Sequence, residues 1–172
     1  MAVKTLWQTE LTDIKSTDVE GVGQLRYEDG ADGGVYRWVK NRNATAFTAK
    51  QPVCYDAGNV GSKTLLQKVN SPVTEDLMLA AGIAVTAIGA SGANCYGWVK
   101  VEGYFQDALV LGVSGTAVLV GDELVAVNTQ TYLARATAVG VAPKRRLTFV
   151  ALEAVSDATG AVYSKDVYIH CK

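Results

Sequence analysis

The stretch Val35-Tyr36-Arg37-Trp38-Val39-Lys40 is typical of a β-strand, and a near copy follows 60 residues later as Tyr96-Gly97-Trp98-Val99-Lys100. Positions 36–40 and 96–100 share four of five residues. Alternate side chains of a strand share a face, so Tyr36 and Trp38 should lie together, a spacing that suits cross-strand packing. Five residues are too few to establish a duplication, and two strands built alike for one core are the favoured interpretation.

Around these two segments, short runs rich in β-branched and aromatic residues recur between glycine-containing turns, as in β-sandwiches and β-barrels. Helical periodicity is scarce, and the one short candidate, 61–69, is equally compatible with a loop that contains one strand. We therefore predict an all-β fold, a β-barrel or β-sandwich with an N-terminal arm. The predicted strands are 35–40, 51–55, 77–81, 83–88, 96–102, 108–113, 123–127, 147–153 and 162–170.

The last of these runs shows the clearest alternation. It places Val167 and Ile169 on one face of the strand, and Tyr168 and His170 on the other. We expect the first pair to be buried.

The N-terminal residues 1–33 have little periodicity and end in a cluster of turn formers at 28–34. We predict an arm and loop over 1–33, followed by a single β domain over 34–172. The arm either packs on its own domain as an edge strand or reaches onto a neighbour, and both alternatives stay open. Its apolar anchors, which we predict to bind a partner, are Leu6, Trp7, Leu11 and Ile14.

Charge is nearly balanced, with 16 Lys and Arg against 17 Asp and Glu. No overall field favours nucleic acid or an anionic membrane, so we predict neither as a partner. The one dense basic run, Lys144-Arg145-Arg146, is either a solvated loop or a second partner-binding element that pairs with acidic groups. The first ten residues do not resemble a signal peptide, which favours a cytoplasmic site of synthesis.

Residues 77–99 carry no charged side chain. An uncharged segment of this length could cross a membrane as a helix. Glycines at 82, 89, 92 and 97 divide the run into strand-length pieces. We predict two buried strands joined by a glycine-rich turn.

Residues suited to catalysis or metal binding are sparse. His170 is the only histidine, and its neighbour Cys171 should point to the opposite face of the strand, so the two would not form a nucleophile pair. The other cysteines, Cys54 and Cys95, are too widely spaced for a zinc site, and we expect three buried free thiols. We predict no enzyme activity, no catalytic or metal site and no cofactor.

Three segments in order carry a resemblance to a known family: Tyr96-Gly97-Trp98-Val99-Lys100-Val101-Glu102-Gly103, then Val113-Ser114-Gly115-Thr116-Ala117-Val118-Leu119-Val120-Gly121-Asp122-Glu123-Leu124-Val125, then Val150-Ala151-Leu152-Glu153-Ala154. Together they resemble bacteriophage head decoration proteins, which have an aromatic-Trp-Val strand, a Gly-Asp-x-Leu turn and an Ala-Leu-Glu-Ala strand. The resemblance covers about the last 80 residues, and residues 1–75 do not align.

The Gly-Asp-x-Leu turn also has a physical interpretation from its own residues. Gly121 can adopt a positive φ, Asp122 can cap the turn, and Leu124 should begin the next buried strand.

What the resemblance implies is a non-enzymatic virion structural protein that binds the major capsid protein and stabilises the shell. It implies assembly in the host bacterial cytoplasm, a final place on the capsid surface, and a homo-oligomer, with a trimer favoured. The alternative function is a carbohydrate- or receptor-binding β module of a phage tail, in which exposed Trp and Tyr stack on sugar rings.

Overall fold

The computed structural model describes residues 7–30, 33–56, 68–70, 72, 79–113, 116–139, 148–156 and 160–171. The fold is all-β with a closed five-stranded β-barrel, as the sequence predicts. A short 3-10 helix, Ala136–Val139, follows the eighth strand. The strands are β1 (Leu25–Glu28), β2 (Gly34–Asn41), β3 (Pro52–Tyr55), β4 (Lys68–Asn70), β5 (Ala80–Ala84), β6 (Tyr96–Leu111), β7 (Glu123–Ala126), β8 (Leu133–Arg135), β9 (Phe149–Ala151) and β10 (Val162–His170).

Strand β6 belongs to two closed circuits of strand pairing. Its first half pairs with β2 and β5 and closes the first ring, in the order β2-β4-β3-β5-β6. Its second half pairs with β10 and β8 and closes the second ring, in the order β6-β10-β9-β7-β8. The first ring is therefore built before residue 104, and the second from residues that follow Tyr96.

Gly103 marks the point where β6 changes partners, because it is the last residue of β6 to pair with β2. Its φ is +106°, a conformation that glycine adopts without strain. A Cβ at this position would lie 2.8 Å from the carbonyl oxygen of Gly33, so the close crossing of the two strands requires glycine.

Each ring has its own apolar core. The first is formed by Val35, Val39, Phe47, Val53, Tyr55, Val69, Ala81, Ala84, Ile88, Val99 and Val101. The second is formed by Ala108, Val110, Val118, Leu124, Ala126, Leu133, Phe149, Ala151, Val155, Val167 and Ile169. Cys54 and Ile83 of the first ring, and Cys171 after β10, pack into the second core. Strands β3 and β5 therefore contribute side chains to both cores.

The two similar pentapeptides pair with each other. Trp38 lies opposite Trp98, Tyr36 opposite Lys100, and Lys40 opposite Tyr96. The ammonium of Lys100 lies 5.0 Å from the ring centroid of Tyr36, and that of Lys40 lies 5.3 Å from Tyr96. Because the strands are antiparallel, each Tyr meets the other segment's Lys. The prediction of two strands built alike for one core is confirmed.

The N-terminal arm packs on the outer face of the first ring. Its apolar residues contact the tryptophan cluster, which we define as Tyr36, Trp38 and Trp98. The indole N–H of Trp38 donates to Asp18 at 3.0 Å, and that of Trp98 donates to the hydroxyl of Thr9 at 2.9 Å. From residue 7 onward, the arm therefore packs on its own domain.

Regular structure begins earlier than position 34, the predicted start of the β domain. Strand β1 lies within the predicted arm and pairs antiparallel with β2. Strand β1 has only four residues, and two of them, Arg26 and Glu28, form an ion pair. The sequence therefore shows neither the length nor the apolar alternation by which a strand is recognised.

The strand predictions hold best where alternation or turn signals are strong. The predictions for 35–40, 51–55, 123–127 and 162–170 correspond to β2, β3, β7 and β10, and 147–153 contains β9. Val167 and Ile169 are fully buried while Tyr168 and His170 are exposed, as predicted.

Other boundaries were wrong. The predictions 96–102 and 108–113 are the two ends of the single strand β6, and β5 runs through Gly82 where a break was predicted. Beyond β5, residues 85–88 form no further strand: the N–H of Val85 donates to the carbonyl of Trp98 at 3.1 Å, and Ile88 forms an isolated bridge with Phe47. The three-residue strands β4 and β8 were not predicted.

Of the helix candidate 61–69, residues 61–67 lie outside the described residues and 68–69 belong to β4. In the charge-free run 77–99, β5 and the start of β6 flank a turn at 89–94, as predicted. Across the described residues, no helix has the length and apolarity needed to cross a membrane.

Candidate functional site

The most exposed apolar feature of the second ring is the turn that precedes β7. Leu119 is 56% exposed and Val120 is 66% exposed. We call residues 118–122 the apolar turn. Large apolar side chains that stay in contact with water on a folded surface mark candidate interaction sites when they are grouped.

Hydrogen bonds within the apolar turn fix its shape. Asp122 accepts from the backbone N–H of Leu119 at 2.7 Å, and its own N–H donates to the carbonyl of Leu119 at 3.1 Å. Gly121 has a φ of +89°, and Leu124 is fully buried in β7. The three sequence predictions for the Gly-Asp-x-Leu segment are therefore confirmed.

Arg135 of β8 supports the turn from the side. Its Nε lies 2.9 Å from the carboxylate of Asp122, and its Nη1 donates to the carbonyl of Ala117 at 3.1 Å. One guanidinium thereby ties both ends of the turn to the second ring. The pair is partly shielded from water, which strengthens it relative to a fully exposed ion pair.

The segment after β9 runs beside the apolar turn. The N–H of Gly121 donates to the carbonyl of Ala151 at 2.8 Å, and the N–H of Ala151 donates to the backbone carbonyl of Asp122 at 3.0 Å. Val118 and Val155 exchange both of their backbone hydrogen bonds. Leu152, which is 38% exposed, lies between these anchor points and extends the apolar surface.

The structure places the predicted partner-binding residues of the arm in two environments. Trp7 and Leu11 pack against the tryptophan cluster, where the rings of Trp7 and Trp98 meet edge to face at 5.6 Å. Ile14 is 37% exposed. Contacts within the chain therefore account for Trp7 and Leu11, and Ile14 is the described anchor with most surface open to a partner. Leu6, Lys144, Arg145 and Arg146 lie outside the described residues.

Arg26 completes the packing of the arm. Its guanidinium lies 6.0 Å from the ring centroid of Trp7 and 5.8 Å from that of Trp98, and it donates to the carbonyl of Thr9 at 2.8 Å. This arrangement is typical of a cation held over aromatic faces. Trp98 is a core residue because its side chain is fully buried. The tryptophans are not exposed in the way that the sugar-stacking alternative requires.

Within the part of the chain that the structure describes, the titratable groups form no cluster suited to a metal. Among the described residues, no group of three His, Cys, Asp or Glu side chains could hold a metal ion. His170 is exposed while Cys171 is buried, so these neighbours face opposite sides. Burial raises the pKa of the Cys171 thiol, which keeps it protonated at neutral pH.

One buried polar pair lies within the first ring. Arg37 donates to the hydroxyl of Tyr55 at 2.7 Å, and its guanidinium lies 5.6 Å from the same ring. Burial raises the pKa of Tyr55 to about 12, and the neighbouring Arg37 opposes this rise. The raised pKa keeps the hydroxyl of Tyr55 protonated at neutral pH.

Sequence reasoning did not name Leu119, Val120 or Leu152 as candidate partner-binding residues. A signal was present, because Ala117-Val118-Leu119-Val120 is a continuous apolar run directly before Gly121. A run that does not alternate cannot bury every side chain in a half-exposed turn. Only Val118 of these residues reaches the core, and the next two point outward.

Neither the protein-family models nor the curated proteins compared with this chain give a match.

Proposed function

We propose that the chain is a non-enzymatic decoration subunit of a bacteriophage capsid, and that the apolar turn is its main contact with the shell. The observation that carries the proposal is the exposure of Leu119 and Val120 on a turn fixed by hydrogen bonds. This turn lies in the segment 113–125 on which the resemblance to decoration proteins partly rests.

The boundary of the second ring supports the same proposal. The resemblance covers about the last 80 residues, and the second ring is built from residues that follow Tyr96. Residues 1–75, which do not align, supply the arm and most of the first ring. Two of the three segments that carry the resemblance, 113–125 and 150–154, belong to the second ring and its connections, while 96–103 is the half of β6 that closes the first ring.

The energetic argument for the turn is its preorganisation. Full burial of one Leu or Val side chain contributes about 1.5–3 kcal/mol, and a fixed turn loses little conformational entropy on binding. Binding to the assembled shell and not to its separate subunits would then stabilise the shell by mass action.

The test is co-sedimentation of the purified chain with capsids of the phage that encodes it. Val120→Asp should weaken binding at least tenfold, because the contact loses apolar area and must desolvate a carboxylate. The matched control is Tyr27→Asp, since Tyr27 is equally exposed at 66% but lies on β1. Equal binding by the two variants would count against the apolar turn, and absence of the chain from purified virions would defeat the function itself.

The proposed oligomer is a trimer, and its support is the resemblance. The argument from uncovered sheet edges is weaker than the sequence suggested, because each described strand except β1 has at least two neighbouring strands. Light scattering on the purified chain should give three times the monomer mass in both low and high salt, since apolar contacts resist screening. A monomer in both salts and on the capsid would contradict it.

A further inference from the structure

A second surface feature lies where β6 passes from the first ring to the second. It is a cavity of about 230 Å³ lined by Tyr36, Val85, Lys100, Tyr104, Phe105 and Gln106. Pockets for drug-sized ligands measure about 300–1,000 Å³. This cavity therefore suits a single ring-sized group.

The aromatic lining is held in place before any ligand binds. Tyr36 is 7% exposed and carries the ammonium of Lys100 over its ring. The hydroxyl of Tyr104 donates to the carboxylate of Asp166. These contacts fix the positions of an ammonium group and two tyrosine side chains around the same space, so the lining is ordered before a ligand binds.

Tyr168 extends the aromatic surface beyond the cavity. It lies directly opposite Tyr104 in the pairing of β10 with β6, so the two side chains share a face of the sheet. Tyr168 is 42% exposed. A ligand that occupies the cavity can therefore continue onto an open tyrosine ring.

Charges around the cavity do not favour an anionic ligand. Lys100 is followed on β6 by Glu102, and Asp166 lies at the hydroxyl of Tyr104. Nearby, Lys50 and Asp107 form an ion pair at 3.0 Å. Cations and carboxylates thus occur together, and neither sign of charge predominates beside the cavity.

We propose that this cavity, with Tyr168 beside it, binds a neutral sugar residue of a glycan. A pyranose ring presents an apolar C–H face that packs on tyrosine, and its hydroxyl groups both donate and accept hydrogen bonds. Gln106 is an exposed residue of the lining, and its amide can both donate hydrogen bonds to such hydroxyl groups and accept them. The site is separate from the apolar turn, so the inference does not depend on capsid binding.

The test uses the purified full chain and methyl glycosides of glucose, galactose, N-acetylglucosamine and glucuronic acid, titrated by calorimetry and by ligand-observed NMR. At least one neutral glycoside should bind with a Kd in the millimolar range, which corresponds to about −4 kcal/mol for one small ring. Tyr168→Ala and Gln106→Ala should each raise that Kd about tenfold. Tyr27→Ala is the matched control, because it removes another exposed tyrosine, and it should leave the Kd unchanged.

Three results would overturn the inference. They are the absence of binding by every neutral glycoside, tighter binding of the glucuronide than of any neutral sugar, and equal weakening by Tyr27→Ala and Tyr168→Ala. Loss of capsid binding in Tyr168→Ala without any glycoside binding would assign the cavity to a protein contact instead. Both substituted residues are surface residues, so unchanged thermal unfolding of the variants checks that the fold is intact.

Discussion

The two rings share β6 but differ in how much apolar surface they expose. The first ring is covered by its own arm, whose Trp7 and Leu11 pack on the tryptophan cluster. The second ring and its connections carry five of the seven exposed large apolar side chains among the described residues, namely Leu119, Val120, Leu152, Val162 and Tyr168. The other two, Ile14 and Tyr27, belong to the arm and β1.

This difference separates internal stability from binding within one all-β body. Apolar side chains on the outer face of the first ring are covered by the arm of the same chain. Comparable area on the second ring stays in contact with water, where a partner can cover it. Substitutions in the two regions should therefore affect different measurements.

The largest expected effect follows from Trp98→Ala in the first ring. The variant should lose about 3–5 kcal/mol of unfolding free energy, because it removes a fully buried aromatic side chain. Urea unfolding followed by circular dichroism measures it. A variant that unfolds like the wild type but no longer binds a partner would show that Trp98 contacts a ligand. The distinction between a stabilising first ring and a binding second ring would then be wrong.

A second expectation concerns alkaline pH, because Tyr55 lies in the first core. Its pKa is raised to about 12 in the folded chain from 10.0, so its stabilising contribution is complete below pH 10 and is lost as pH rises to 12. The loss should reach about 2 kcal/mol at pH 12, at 1.36 kcal/mol per pKa unit.

Comparison of the wild type with Tyr55→Phe isolates this contribution, since the thiol of Cys171 has a raised pKa in both proteins and adds to the same alkaline loss. Unfolding free energies measured from pH 8 to 12 should fall more steeply for the wild type. Parallel curves would show that Tyr55 is not protected by burial.

The third prediction tests the attachment of the arm. Thr9→Ala removes the acceptor for the buried indole N–H of Trp98, which should cost about 1–3 kcal/mol. Thr12→Ala is the matched control, because Thr12 is an exposed residue of the same arm. Tryptophan fluorescence during urea unfolding reports both. Equal stability of the two variants would mean that the arm is not fixed through this bond.

The smallest effect on stability is expected in the second ring. Leu119→Ser and Val120→Ser should each change the unfolding free energy by less than about 0.5 kcal/mol, as most surface substitutions do. Their effect should be on partner binding. A loss of several kcal/mol on urea unfolding would show that the apolar turn is part of the core, and the contrast between the rings would disappear.

Much of the fold could be predicted from the sequence because alternation and turn chemistry are local. Val162–His170 was predicted over its full length, since Val167 and Ile169 alternate with exposed residues. The turn at Gly121 and Asp122 was predicted because positive φ and side-chain capping depend on one or two residues.

Closure into two rings could not be predicted in this way. It depends on pairings such as Val110 with Leu133 and Lys40 with Lys68, each of which joins a three-residue strand to a longer strand distant in sequence. The exposure of Leu119 and Val120 also needs the tertiary fold, because an apolar run has the same appearance whether it is buried or not. The basic run at 144–146 stays a prediction.

Because both rings contain β6, their unfolding should be coupled. Neither ring can open its part of β6 without loosening residues that anchor the other, since β6 is continuous from Tyr96 to Leu111 and Cys54 and Ile83 pack into the second core. The two halves should therefore unfold as one cooperative unit, with the slowest amide hydrogen exchange in the middle of β6. A pull on the second ring would thus be transmitted along a covalent backbone to the first ring and not across a separable interface.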